Sequence, residues 1–179
     1  MKTLVLHPKD KTTDFLKVIY KGKGYTEVNT RPSNSKLKKM IKTHDRVIIL
    51  GHGTEKGMID FSRNKMIPWV TSDLVYLLRD KTNSIYIWCN SDVFIEKYNL
   101  HGFYTGMIIS DIEESYIYNI KSNIDDIDSS NKLLADTISK YLVTNTQLMS
   151  KNVKKYYNSD SNMVINFNRD NIKYSINKD

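Results

Sequence analysis

Two apolar stretches decide the fold: RVIILGHG, residues 46–53, and SIYIWC, residues 84–89. A continuous apolar run of this length is typical of a strand that is buried on both faces of a parallel sheet. The first run ends in Gly51-His52-Gly53 and the second in Cys89, and one predicted helix separates them. Functional sites of such sheets lie beyond the carboxyl ends of the strands. We therefore expect the His52 ring and the Cys89 sulfur to face one cleft.

Working outward, strands alternate with helices along the chain. The pattern predicts strands at residues 2–7, 25–30, 46–50, 84–88 and 103–109, and helices around residues 15–19, 37–41, 74–78, 130–143 and 148–157. Thr12 or Thr13 is expected to cap the first helix, and the tail from Met163 to Ile176 alternates like a final strand or hairpin. This order predicts an α/β fold with a mainly parallel sheet flanked by helices. We expect residues 1–179 to form a single domain.

Composition places the chain among ordinary globular proteins. Of its 179 residues, 40% are hydrophobic and 26% charged, far from the composition of disordered chains. It has no apolar run long enough to span a membrane, and its N-terminus does not match a signal peptide. Cys89 is the only cysteine, so no internal disulfide can form and a reducing compartment suits the chain. These features predict a cytoplasmic protein with no membrane partner.

The net charge of +7 favours anionic partners. The lysines are nevertheless scattered, for example over residues 36–42 and 151–155, and no nucleic-acid motif accompanies them. Solvated helix faces are the favoured interpretation, and a nucleic-acid partner is not expected.

A cysteine and a histidine at neighbouring strand ends can perform acyl transfer. The cysteine attacks a carbonyl as thiolate, and the imidazole takes its proton. Backbone N–H groups are also needed for the oxyanion that develops. Because Gly53 has no Cβ, its N–H is open to close approach. We expect the amides of Gly53 and Cys89 to form the oxyanion hole.

The two motifs resemble those of the caspase-like, or clan CD, cysteine peptidases. An apolar strand precedes His52-Gly53, Gly57 continues a His-Gly-x-x-x-Gly pattern, and a second apolar strand precedes Cys89. The resemblance covers roughly residues 1 to 111. It implies a three-layer caspase-like sandwich and a cysteine endopeptidase that forms a thioester acyl-enzyme on Cys89, with a protein or peptide as substrate. Lys9, Asp10 and Asp111 lie where specificity residues would be expected, with solvated loop charges as the alternative.

A second interpretation keeps the scaffold without the activity. Free cysteine is among the most buried residue types and is often inert. The bulky Trp88 replaces the small residue that usually precedes the cysteine of this family. The alternative is therefore a catalytically degenerate caspase-like binding or regulatory module.

Other motifs are weaker. The glycines of Gly51-x-Gly53-x-x-x-Gly57 lead into a segment that is predicted to be extended, so a dinucleotide site is not the favoured interpretation. No metal-ligand spacing occurs, and we expect neither a metal nor another cofactor. The remaining histidines, at positions 7, 44 and 101, are expected on the surface or in loops, and Glu113-Glu114 on a solvated edge.

Overall fold

A computed structural model describes residues 1–61, 65–81, 83–142 and 145–176. The strands in these ranges are β1 (Thr3–Leu6), β2 (Thr26–Val28), β3 (Arg46–Leu50), β4 (His52–Thr54), β5 (Gly57–Asp60), β6 (Ile67–Val70), β7 (Ile85–Ile87), β8 (Gly102–Thr105) and β9 (Ile172–Ser175). The α-helices are α1 (Asn34–Lys42), α2 (Val75–Leu78), α3 (Ser91–Lys97), α4 (Ile112–Ile117), α5 (Ile124–Tyr141), α6 (Thr146–Tyr156) and α7 (Met163–Asp170). Two 3₁₀ helices span Lys11–Ile19 and Ser72–Leu74.

Six strands form the main sheet in the order β2-β1-β3-β7-β8-β9. All neighbouring pairs are parallel except β8 and β9, which are antiparallel. The other three strands form a small antiparallel sheet in the order β4-β5-β6. The sheet is therefore mixed but mostly parallel, which confirms the α/β class.

Each face of the main sheet packs against its own hydrophobic layer. In β3, Ile48 and Leu50 point to a core shared with the Lys11–Ile19 helix, α5 and α6. Val47 and Ile49 point to the opposite core, which contains residues of α1, α2, α3 and the small sheet. All five residues of β3 are buried. The apolar run in the sequence is continuous because β3 is covered on both faces.

The C-terminal tail differs from its prediction. Met163–Asp170 is a helix, and only Ile172–Ser175 forms a strand. The Asn162 side chain caps the helix by accepting hydrogen bonds from the amides of Val164 and Ile165, at 3.0 and 3.1 Å. The N-cap and the buried face of the helix stabilise it, although the short alternation in the sequence is typical of a strand.

Several element boundaries also shift. The strand predicted to run to Ile109 ends at Thr105. The long helix begins at Ile124, where Asn123 and Asp126 form a capping box, and its predicted end, Val143, lies outside the described residues.

The first helix is capped neither by Thr12 nor by Thr13. The Asp10 side chain accepts from the Thr12 amide at 2.9 Å and is the N-cap. His7, predicted to lie on the surface or in a loop, is only 2% exposed. Its ring is within hydrogen-bond distance of Tyr20 Oη, at 3.0 Å, and Thr13 Oγ1, at 3.1 Å. Among the described helices, none has the length and apolar character needed to cross a membrane.

Candidate active site

His52 begins a strand of the small sheet instead of lying in a loop. The chain leaves the main sheet at Leu50, turns at Gly51 and pairs His52 with Ile59 of β5. Gly51 has a φ of +145°, a conformation that residues with a Cβ rarely adopt. The glycine between the two strands is what allows the chain to turn from β3 into β4.

Two polar side chains and one aromatic ring surround the imidazole of His52. Its Nε2 lies 2.8 Å from Thr12 Oγ1 and 3.5 Å from Asp10 Oδ2. The Phe61 ring meets the imidazole edge to face, with the ring centroids 5.4 Å apart. The two polar contacts come from the start of the Lys11–Ile19 helix, and the aromatic contact comes from the residue after β5.

Cys89 lies in the turn between β7 and α3. The turn is closed by a hydrogen bond of 3.1 Å from the Ser91 amide to the Trp88 carbonyl, and Asn90 takes a left-handed conformation with φ +63°. The Cys89 thiol donates a weak hydrogen bond to the Ile108 carbonyl, with 3.8 Å between sulfur and oxygen. The thiol therefore faces the chain that follows β8.

The sheet register brings the two candidate residues together. Leu50 of β3 pairs with Ile87 of β7, and the Gly51 amide donates to the Ile87 carbonyl at 3.0 Å. His52 and Cys89 line one cleft of about 20 Å³, which is room for about one water molecule. Its other lining residues are Thr13, Phe15, Leu16, Gly51, Ile87, Trp88, Ile108 and Ser110. The catalytic roles of the two residues stay a prediction.

The resting thiol of Cys89 is not activated. Burial, followed by the nearby Glu114 carboxylate, raises the pKa of Cys89 to about 11, and Asp111 adds to the shift. No hydrogen bond joins His52 to Cys89 among the described residues. The thiol is accordingly protonated at neutral pH, whereas reactive cysteines commonly have lowered pKa values.

Gly53 has a packing role that the sequence did not reveal. A Cβ built on Gly53 would lie 2.1 Å from Cδ1 of Trp88 and 2.7 Å from the Gly57 carbonyl oxygen. The indole N–H of Trp88 donates to the Thr54 carbonyl at 3.2 Å, and its ring is 1% exposed. The missing side chain at position 53 makes room for the bulky residue before the cysteine.

The charged residues expected near a specificity pocket have other partners. Asp10 caps the first helix and contacts His52. Asp111 caps α4 in a capping box with Glu114, and Lys9 is exposed. Sequence reasoning did not assign Asp10 and Thr12 to His52. Their position just after β1, beside β3, was the available signal.

Glu114 is not the solvated edge residue that the sequence predicted. Its Oε2 accepts from the Ser110 amide at 2.7 Å, the Ser110 hydroxyl at 3.1 Å and the Asp111 amide at 3.3 Å. Burial is the main reason that the pKa of Glu114 is raised. Its neighbour Glu113 is exposed, as predicted.

A larger cavity of about 550 Å³ lies between the Lys11–Ile19 helix and α5, next to the cleft. Thr12 and Phe15 from the helix and Ser110 line it, and the last two also line the cleft. Asn131 of α5 reaches the same place, where its side-chain N–H donates to the Ser110 carbonyl at 2.8 Å. The small cleft therefore shares two lining residues with a cavity large enough for part of a peptide.

Among the described residues, no three His, Cys, Asp or Glu side chains cluster as metal ligands do.

The comparisons with known proteins gave no match: no family model fits the chain, and neither a curated protein nor a solved structure is significantly similar to it.

Proposed function

We propose that this chain is a cysteine endopeptidase of caspase-like type, with Cys89 as nucleophile and His52 as general base. One observation carries the proposal: the two side chains follow adjacent parallel strands and line the same cleft. A shared cleft is what a nucleophile and its base need as a starting point, and the hydrogen bond between them would form when substrate binds. A mainly parallel sheet with helical layers on both faces is also what the resemblance to clan CD peptidases implies.

In the proposed reaction, the Cys89 thiol transfers its proton to the His52 imidazole as sulfur attacks the carbonyl carbon of a peptide bond. The tetrahedral intermediate collapses to a thioester, and the amine leaves with the proton from the imidazolium. Water then attacks the thioester, with His52 again as base, and frees the acid and the thiol. The amides of Gly53 and Cys89 are the proposed donors to the oxyanion.

The substrate in this proposal is a protein or peptide. The cavity beside the cleft supports this choice, because it is lined by the Lys11–Ile19 helix and shares Phe15 and Ser110 with the cleft. Neither a metal ion nor an organic cofactor is required by the reaction.

The decisive experiment is cleavage of a diverse peptide library by the purified chain, read by mass spectrometry. Wild type should produce fragments, and Cys89→Ala and His52→Ala should not. His44→Ala is the matched control, because His44 is also partly exposed but contacts Met40 and Thr26, away from the cleft. Cleavage that persists in Cys89→Ala would contradict the proposal.

The binding or regulatory module is the second candidate, and the protonated thiol in a cleft of about 20 Å³ favours it. Iodoacetamide labelling separates the two functions, since Cys89 is the only cysteine and all label reports on it. A dyad requires that His52→Ala slow labelling severalfold near pH 7, because His52 takes the thiol proton as the sulfur attacks the reagent. A folded His52→Ala variant with unchanged labelling, together with no cleavage of the library, would establish the module instead.

A further inference from the structure

A chain of three polar groups runs from the first helix to the imidazole. The Thr12 hydroxyl lies 2.7 Å from Asp10 Oδ1 and 2.8 Å from His52 Nε2. Asp10 Oδ2 is a further 3.5 Å contact of the same ring nitrogen. Asp10 itself is held in place as the N-cap of the helix.

The direction of each hydrogen bond follows from the chemistry of the groups. Burial alone would raise the pKa of Asp10, but the hydrogen bonds from Thr12, together with the nearby His52 and His7, lower the pKa overall, so the carboxylate is ionised and can only accept. The single hydroxyl hydrogen of Thr12 is therefore used on Asp10. Thr12 Oγ1 must then accept, and the only donor available on that side of His52 is an Nε2–H.

We propose that Asp10 and Thr12 are positioning residues that hold His52 in the Nε2–H tautomer, so that Nδ1 is the atom that takes the Cys89 proton. This inference rests on the proposed peptidase function. When the proton moves from sulfur to Nδ1, the ring becomes an imidazolium with N–H groups at both nitrogens. The Nε2–H still donates to Thr12, and the Asp10 carboxylate at 3.5 Å stabilises the positive charge. The same proton leaves from Nδ1 to the amine.

The tautomer can be measured directly by long-range ¹H–¹⁵N NMR of the imidazole, without any substrate. Wild type should show a proton on Nε2 and a bare Nδ1. In Asp10→Asn the side-chain oxygen can keep both hydrogen bonds from Thr12, and the new amide N–H group replaces Oδ2, 3.5 Å from Nε2, where it donates to a bare Nε2 and opposes an Nε2–H. The ring proton should move to Nδ1, and peptide cleavage should fall at least about tenfold, because a histidine in the wrong tautomer cannot act as base.

Two further variants separate this role from support of the helix. Asp14→Asn removes the same charge from the same helix, where Asp14 pairs with Lys17 at 2.6 Å, and should leave tautomer and cleavage unchanged. Asp10→Ser keeps a good N-cap but loses the obligatory acceptor, so it should give a mixture of tautomers even if Asp10→Asn does not fold. Thr12→Ser should behave as wild type, whereas Thr12→Val should lower cleavage.

A bare Nε2 in wild type, or an unchanged Nε2–H tautomer in every folded Asp10 variant, would overturn the inference. That result leaves the peptidase standing if cleavage still depends on Cys89 and His52. The converse result is also possible to distinguish. If the Nε2–H tautomer depends on Asp10 but the protein cleaves no peptide, Asp10 and Thr12 still position His52 and the peptidase function is wrong.

Discussion

The indole of Trp88 occupies the space in which a side chain at position 53 would lie. A Cβ on Gly53 would be 2.1 Å from Trp88 Cδ1 and 2.6 Å from Cγ, distances that real Cβ atoms essentially never show. The indole cannot easily move, because Tyr86 and Phe94 pack edge to face against it, each with centroids 5.9 Å away. The residues next to the two candidate catalytic side chains are thus mutually dependent.

We expect Gly53→Ala to destabilise the fold by about 3 kcal/mol, the upper part of the usual range for overpacking a core. Urea unfolding measures this change. The control is Gly22→Ala, because nothing lies within 4 Å of its Cβ position and only its φ of +77° opposes a side chain, at a cost of about 1 kcal/mol. Trp88→Leu in the Gly53→Ala background should recover part of the loss. A fully stable Gly53→Ala protein with impaired cleavage would favour the oxyanion role alone.

A second prediction concerns the effect of His7 on the stability of the fold at acidic pH. Burial is the main cause that lowers the pKa of His7 to about 4, against an ordinary value of 6.5. The unfolded chain therefore binds a proton that the folded chain refuses, and stability falls as the pH drops from 6.5 towards 4. The loss from this residue is roughly 3 kcal/mol over that window.

Urea unfolding of wild type and His7→Gln between pH 4 and 8 checks this prediction. His7→Gln should be less stable at pH 8, but its stability should fall less steeply below pH 6.5. His44→Gln is the control, since His44 is partly exposed. Parallel curves for wild type and His7→Gln would show that His7 does not stay neutral in the folded chain.

The core of the fold was predictable because the pattern of apolar residues in the sequence agrees with the burial of the strands there. β3 and β7 are uninterrupted apolar runs, and the glycine and cysteine after them mark where each strand ends. These two strands alone placed His52 and Cys89 at neighbouring strand ends. The α/β class and the mostly parallel sheet follow from the same runs.

One error came from a side chain that acts on the backbone of a residue distant in the sequence. Asn168, which is fully buried, accepts from the Ile109 amide at 2.7 Å and donates to its carbonyl at 2.8 Å. These bonds hold residues after Thr105 away from the sheet, so the predicted fifth strand ends early. The three small strands β4, β5 and β6 were also missed as a sheet, because their pairing depends on turns that apolar periodicity does not describe.

The third prediction is a pH profile of thiol reactivity. The pKa of Cys89 is raised to about 11. At any pH below that value, an increase of one pH unit raises the thiolate fraction about tenfold. Labelling by iodoacetamide should therefore rise steadily from pH 7 to 9.5 in the His52→Ala protein, where no imidazole assists the thiol, with no plateau. A plateau near pH 7 or below would show an already activated thiolate, contrary to the resting structure.

The last prediction concerns Glu114, whose carboxylate adds to the effect of burial on the pKa of this thiol. Glu114 follows burial as the next cause of the raised pKa of Cys89. The same side chain holds Ser110, a lining residue of the cleft, through two hydrogen bonds. Glu114→Gln removes the charge but keeps an oxygen that can accept both bonds. Labelling of Cys89 at pH 7.5 should rise severalfold, because each unit by which the pKa falls gives about ten times more thiolate.

The matched control for Glu114→Gln is Glu113→Gln, which removes the same charge from the adjacent position of α4. Glu113 is exposed, so water and salt screen its charge from the cleft, and its loss should change labelling little. Thermal unfolding of both variants should be measured beside the labelling, because a looser fold would also expose the thiol. Equal acceleration in the two variants would mean that net charge, and not the position of Glu114, governs the thiol. No acceleration in a folded Glu114→Gln protein would leave burial alone as the cause of its low reactivity.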